Sequence, residues 1–419
     1  MFNSLVFQKH NHFRLKLLIF IPVFLFYLYL FDKISFGWYY SNFDLYDADS
    51  RELYTSSRYL YLNADLIKHP LYFSVLIPLV SFLDNILNLS LLNIYRIIFP
   101  TLVALSITIF CFLFHAFTQN LKLAFLYACI LASSSSFVFL LPQPETYSFS
   151  LVFLSLFLFY LTQYSSRLNP FYVGTLIGLV GSAHFSLILF LPATLVSLFT
   201  VNSLPNYKSV RFALILTISS ILVFSFPFLL MVCGGSDNLV GSTLEYTEHY
   251  ASVANLISLK YWLFVLSHSG LASLFLFLPY SAPPIPSFSP YFFITAICTL
   301  FIIFRGFIQS YSSRTHLLFL PTIVYFFLFQ IIFTVYFHPP STFLYSTLLF
   351  PVFLCLYVFI ITIDASLQTK YLFFLMSLLF MLLVVNLSLL QSFYGSFSPY
   401  PVFQGPSFKP VGPAHSFQF

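Results

Sequence analysis

Apolar residues run along this chain in blocks of about twenty, broken by short polar links. About twenty consecutive apolar residues make one membrane-crossing helix. The blocks at 15–37, 93–117, 122–141, 147–163, 170–185, 187–201, 212–232, 291–304, 316–337, 341–363 and 371–391 predict eleven such helices. Within them the pattern is continuous rather than alternating, which excludes a β-barrel. Two further apolar runs, 71–88 and 261–280, are interrupted. The first carries Pro78 and Asp84; the second is broken at His268-Ser269-Gly270 and precedes Pro283, Pro284 and Pro286. Both read as helices lying at or dipping into one face of the membrane. Longer polar stretches occupy 41–70 and 234–260, and a tail rich in Pro, Gly, Ser and Phe follows 392.

Composition narrows the class. Of 419 residues, 59% are hydrophobic and 7% charged, against about 25% charged in an ordinary soluble domain. A soluble enzyme, a disordered chain, a coiled coil and a disulfide scaffold are all excluded. The expected fold class is therefore an all-α polytopic membrane protein of about 11 transmembrane helices plus juxtamembrane helices. Residues 1–391 form its membrane domain, with 41–90 and 233–290 as two external segments and 392–419 as an irregular external tail.

The net charge of +5 says more about orientation than about partners. No basic cluster suits nucleic acid. Lys9, Arg14 and Lys16 precede a first apolar run too long for a cleaved signal, which puts the N-terminus in the cytoplasm. Lys122, Arg167, Lys208, Arg211, Arg305, Arg314 and Lys370 then fall in cytoplasmic links, provided that 71–88 and 261–280 do not cross. On this topology Asp364 alone is cytoplasmic. Eleven carboxylates, Asp32, Asp44, Asp47, Asp49, Glu52, Asp65, Asp84, Glu145, Asp237, Glu245 and Glu248, fall at or beyond the outer boundary. Acidic residues contribute little to topology, so the asymmetry points to a site on the outer face. Cys111, Cys129, Cys233, Cys298 and Cys355 form no CxxC and read as small buried hydrophobes.

Candidate chemistry gathers at the outer turns. Asp47-Ala48-Asp49 is a DxD in the first external stretch. Carboxylates there are suited to taking a proton from an acceptor or to holding a divalent cation, the candidate cofactor, on Asp47 and Asp49. The bland alternative is an acidic start to a juxtamembrane helix. Lys68-His69-Pro70-Leu71 closes the stretch and offers phosphate donors or a solvated turn. Glu145 sits between two spans, where a carboxylate is either functional or a helix cap. His184 lies at another outer turn, as do His338 and Tyr345 in the HPPSTFLYSTLLFP segment. Glu245, Glu248 and His249 have metal-like spacing without a second cluster to complete a site.

The order of these elements resembles the integral-membrane glycosyltransferases of the GT-C fold. It resembles especially the bacterial relatives of protein O-mannosyltransferases and lipid A aminoarabinose transferase. The resemblance rests on Asp49-Ser50-Arg51-Glu52-Leu53-Tyr54 after the first span, Lys68-His69-Pro70-Leu71-Tyr72 opening an interfacial helix, Arg96 in NIYRIIFPTLVAL, Glu145, GTLIGLVGSAHF ending at His184, and the late Pro-containing span. It covers about 1–365. Glu145 stands where Asp is usual, His184 where Lys is common, and one Pro follows His69 where two are frequent.

The resemblance implies a polyprenyl-phosphate-linked sugar donor, a lipid, glycan or protein acceptor, and surrounding membrane lipid as partners. Asp49, or Asp47, would be the base; Lys68, His69 and Arg96 would stabilise the departing lipid phosphate. Glu145, His184, His338 and Tyr345 would complete the substrate site. A bacterial plasma membrane with an external active site is the implied location. A transporter or flippase of a polyisoprenoid or sugar lipid, or a non-catalytic assembly subunit, is the alternative. An enzyme requires Asp49, His69, Glu145 and His338 to converge on one external cavity.

Overall fold

The computed structural model describes residues 11–40, 69–89, 91–142, 146–163, 168–200, 206–233, 252–274, 290–312, 318–337, 342–362 and 370–395. Among these, every regular element is helical. In chain order α1 is Asn11–Tyr40; a π-helical turn, Tyr72–Leu76, leads into α2, Ile77–Leu87; α3 is Leu91–Thr118, α4 Leu121–Ser133, α5 Ser135–Leu140 and α6 Thr146–Gln163. Next come α7 Pro170–Ala183, a 3-10 turn Phe185–Leu189, α8 Phe190–Thr200 and α9 Asn206–Cys233. The last group is α10 Val253–Ile257, α11 Leu259–Ser269 with a 3-10 turn Leu271–Leu274, α12 Pro290–Ser312, α13 Phe319–Phe337, α14 Thr342–Thr362 and α15 Lys370–Gly395.

Among the described residues, five helices are long and apolar enough to cross a membrane: the segments 93–118, 146–163, 209–227, 290–310 and 319–337. Shorter apolar helices lie at 18–32, 74–87, 121–133, 170–183, 185–200, 346–362 and 374–389. These long apolar helices fit a membrane protein.

Local chemistry sets the helix ends. Asn120 and Asn169 accept from the first backbone N–H groups of α4 and α7, and Pro170 takes the first position of α7, where no N–H is needed. Asn88 ends α2 in the left-handed region at φ 51°, and Gln119 follows α3 in the same conformation. The run 122–141, expected as one span, is instead broken. Ser134 adopts an extended backbone between α4 and α5. Its hydroxyl donates to Leu131 O at 2.7 Å, the local competition by which serine interrupts a helix.

Contacts between distant segments place particular helix ends together. Phe117, at the end of α3, meets Phe319 at the start of α13 and Phe359 near the end of α14. At the opposite end, Tyr27 of α1 donates to Ala132 O of α4. There too, Asp32 of α1 pairs with Arg96 of α3, and Ser252 N–H bonds Tyr336 O of α13. We call this second end the site end.

Packing follows side-chain size. α7 and α9 pack against one another along much of their length. Gly174 and Gly178, spaced GxxxG, let the two backbones approach, and Ser220 Oγ of α9 donates to Gly174 O at 3.0 Å. A Cβ on Gly174 would lie 1.9 Å from Ser219 Oγ and 2.4 Å from Leu216 O. One large aromatic and aliphatic core fills the bundle. A second, smaller core unites Phe31 of α1, Tyr72, Leu76 and Val80 around α2, Tyr95 and Phe99 of α3, Phe149 of α6 and Ala183 of α7. It docks the Tyr72–Leu87 segment onto four helices. Cys111 and Cys355 are buried thiols, as expected, whereas Cys298 is exposed on α12.

Candidate functional site at the end of the bundle

α7 stops at Ala183 because His184 turns into extended backbone (φ −150°, ψ 117°). The last carbonyls of a helix have no partner within it. Ala183 O finds two partners outside. His69 Nδ1 lies 3.2 Å away, and Ser150 Oγ of α6 donates to it at 3.0 Å. His69 also reaches α6, with Nε2 3.2 Å from Thr146 Oγ1. His69 is 3% exposed and His184 4%.

The two imidazoles, 115 positions apart in the sequence, sit with ring centroids 4.8 Å apart and planes at 64°. Tyr147 lies 5.4 Å from His184 and 6.4 Å from His69. Ser186 Oγ is 2.9 Å from His184 Nδ1. Three helix termini therefore meet here: the start of the α2 segment, the start of α6 and the end of α7. The apolar floor beneath them is the smaller core, with Tyr72 edge-on to Phe149 at 6.0 Å.

The sequence-predicted residues distribute as follows. His69 and His184 come together. Arg96 stands on α3 in an ion pair with Asp32, Nη2 to Oδ2 2.6 Å, with both side chains partly exposed. A pair that exposed contributes about 0–1 kcal/mol, so it orients the guanidinium more than it stabilises the fold. Tyr345 falls on the first turn of α14. Asp47, Asp49, Lys68, Glu145 and His338 lie outside the described residues, as do Glu245, Glu248 and His249. Among the described residues no group of three His, Cys, Asp or Glu side chains is placed to hold a metal.

Sequence reasoning missed Thr146, Tyr147, Ser150 and Ser186. A signal was present: TYSFS, opening an otherwise apolar helix, puts hydroxyls at 146, 148 and 150. All three are used. Ser148 Oγ donates to Leu141 O at 3.0 Å, and Ser150 Oγ lies 3.0 Å from both Thr146 O and Ala183 O.

Chemically, the arrangement offers two buried imidazoles beside hydroxyls and a tyrosine at one end of an apolar bundle. Imidazole can donate, accept or carry charge near neutral pH. Comparisons with family models, with curated proteins and with solved structures find no match to this chain. The architecture and the site together describe a helical protein of membrane type with a polar, histidine-bearing corner at one end.

Proposed function

We propose that the chain is a polytopic membrane glycosyltransferase of GT-C type, with about eleven spans. In this reading it moves a sugar from a polyprenyl-phosphate donor to an acceptor at the outer face. One observation carries the proposal: His69, from the Lys-His-Pro opening of the juxtamembrane helix, meets His184 and the residue after Glu145 at one end of the bundle. The order of elements in the sequence singles out His69 and His184, and Thr146 is the chain neighbour of a third such position, Glu145; separate helices bring the two histidines and Thr146 together.

Three features fit the same reading. The helical run 70–87, in which the π turn leads straight into α2, carries Pro78 and Asp84 and sets one face against the smaller core. Val75, Leu79, Phe82 and Ile86 form an exposed apolar stripe on that segment, while Tyr72, Leu76 and Val80 face the core. A helix of this kind rests on lipid with its open stripe. Arg96, oriented by Asp32 next to the smaller core, supplies a cation for the lipid phosphate. Glu145 is peptide-bonded to Thr146, which His69 holds.

The chemistry is a single displacement. Asp49, or Asp47, removes the acceptor proton as the acceptor attacks the anomeric carbon, and the bond to the lipid phosphate breaks with inversion. The polyprenyl tail stays in lipid throughout. A divalent cation on the DxD is an optional part of this mechanism.

A transfer assay tests it. Purified protein in lipid is given a panel of polyprenyl-phosphate sugars, and released polyprenyl phosphate is followed for wild type, Asp49→Asn and Asp47→Asn. Release by wild type that collapses in one variant, with donor binding kept, is expected and names the base. Absence of release with every donor, while sugar lipid crosses the vesicle membrane, would replace the enzyme by a flippase.

A further inference from the structure

We propose that His69 is a positioning residue rather than a phosphate ligand: a clasp, locked in one tautomer, that holds the start of α6 and the end of α7 against the juxtamembrane segment. A carbonyl oxygen only accepts hydrogen bonds. Ala183 O, 3.2 Å from His69 Nδ1, therefore requires the ring hydrogen on Nδ1. In the neutral ring Nε2 then carries the lone pair and accepts from the Thr146 hydroxyl, 3.2 Å away. Both ring nitrogens are engaged with protein groups, and the ring is 3% exposed. The one N–H of the neutral ring points at a helix carbonyl.

Ser150 adds a further link. Its Oγ stands 3.0 Å from Ala183 O and 3.0 Å from Thr146 O, and its single hydroxyl hydrogen is shared between these two carbonyls as a three-centre bond. His69, Ala183, Ser150 and Thr146 thus form one polar cluster across three chain segments. Buried polar clusters of this kind rigidify their surroundings.

What the clasp positions follows from covalent structure. Thr146 is bonded to Glu145 and Ala183 to His184. Fixing Thr146 and Ala183 fixes the backbone origins of two candidate substrate-site side chains. That role rests on the glycosyltransferase reading; the clasp itself does not.

The test uses the full chain in lipid, labelled with nitrogen-15 histidine, with the His69 signals assigned by their loss in His69→Asn. Imidazole nitrogen shifts distinguish the two neutral tautomers and the cation. The expected spectrum is the neutral Nδ1–H form, unchanged by saturating polyprenyl phosphate, with Thr146→Val moving the Nε2 signal. An Nε2–H form, a doubly protonated ring, or an Nε2 that responds to the phosphate overturns the proposal.

A double-mutant cycle on thermal unfolding, His69→Asn against Thr146→Val, gives a second reading without any activity. Non-additive effects are expected, because the two groups share a bond; additivity counts against the clasp. Where a donor supports turnover, Thr146→Val should lower kcat by about tenfold and leave donor KM within about twofold, the pattern of a misplaced group. A KM rise with kcat kept overturns positioning. If no donor turns over, the glycosyltransferase reading fails while the spectrum and the cycle still decide the clasp.

Discussion

Asn386 interrupts an apolar run, VVNLSLL, on α15, and the structure shows what it is for. Its amide donates to Ser133 O at 2.7 Å and to Leu274 O at 2.9 Å, two carbonyls left open where α4 and the turn after α11 end. Replacing it by Leu leaves both carbonyls buried without that donor, at about 1–3 kcal/mol each. Asn386→Leu should lower the thermal midpoint in lipid, whereas Asn386→Gln should retain part of the loss. His268 behaves differently because it is buried among aromatics, 4.2 Å from Phe264 and 5.1 Å from Phe292 by ring centroid. It lies on α11, an eleven-residue helix too short to cross a bilayer. Burial lowers its pKa to about 4, against a smaller upward pull from the Phe264 carbonyl. The folded ring therefore gives up its proton more readily than the unfolded one. Its contribution to stability is complete above about pH 6.5 and is lost as pH falls through about 4. The thermal midpoint should fall across that window, and less steeply in His268→Phe.

At the scale of elements, the tight α7–α9 contact depends on absent side chains. Gly174→Val places atoms where Ser219 Oγ and the Leu216 backbone already stand. Backbone has to move, so overpacking of about 1–3 kcal/mol is expected. Because α7 ends in Ala183, the same variant should also disturb the His69–His184 corner; thermal unfolding and imidazole spectra together would show both effects. Helix positions were largely legible from sequence, since long apolar runs leave the chain one way to satisfy its backbone. α1, α3, α6, α13 and α14 begin and end within a few residues of the expected runs. The break at Ser134 was not legible. Four serines in a row offer the local bond that Ser134 makes to Leu131 O, but nothing in the run says which of them breaks the helix, and the bond from Ser135 Oγ to Ser273 O belongs to the folded bundle. The corner was half legible. His69 and His184 stand out as polar residues at helix ends, but Thr146 and Ser150 look like ordinary helix hydroxyls until a distant imidazole and carbonyl arrive.

For the whole molecule, the expected eleven crossings and the orientation make a joint prediction about Asn88 and Gln119. These residues flank α3, a helix with 28 residues, at its two ends. Single cysteines placed there, in a background stripped of the native thiols, should react with an impermeant reagent from opposite sides. Asn88→Cys should label on intact cells and Gln119→Cys only after permeabilisation. Labelling of both from one side would contradict a crossing by α3, and the reverse pattern would invert the topology. The carboxylates give that orientation its significance, because eleven of the twelve would share one compartment with the histidine corner.

The bond from Asn386 to Ser133 O joins residues 253 positions apart. Synthesis proceeds from the N-terminus, so α4 and its break exist long before α15 leaves the ribosome. Through that interval the open carbonyl at Ser133 has to be tolerated, by water or by a neighbour that later gives way. α15 thus finishes a defect made early, and this part of the interior closes only once α15 has joined α4. Quality control that samples nascent chains would meet that open carbonyl throughout the synthesis between α5 and α15.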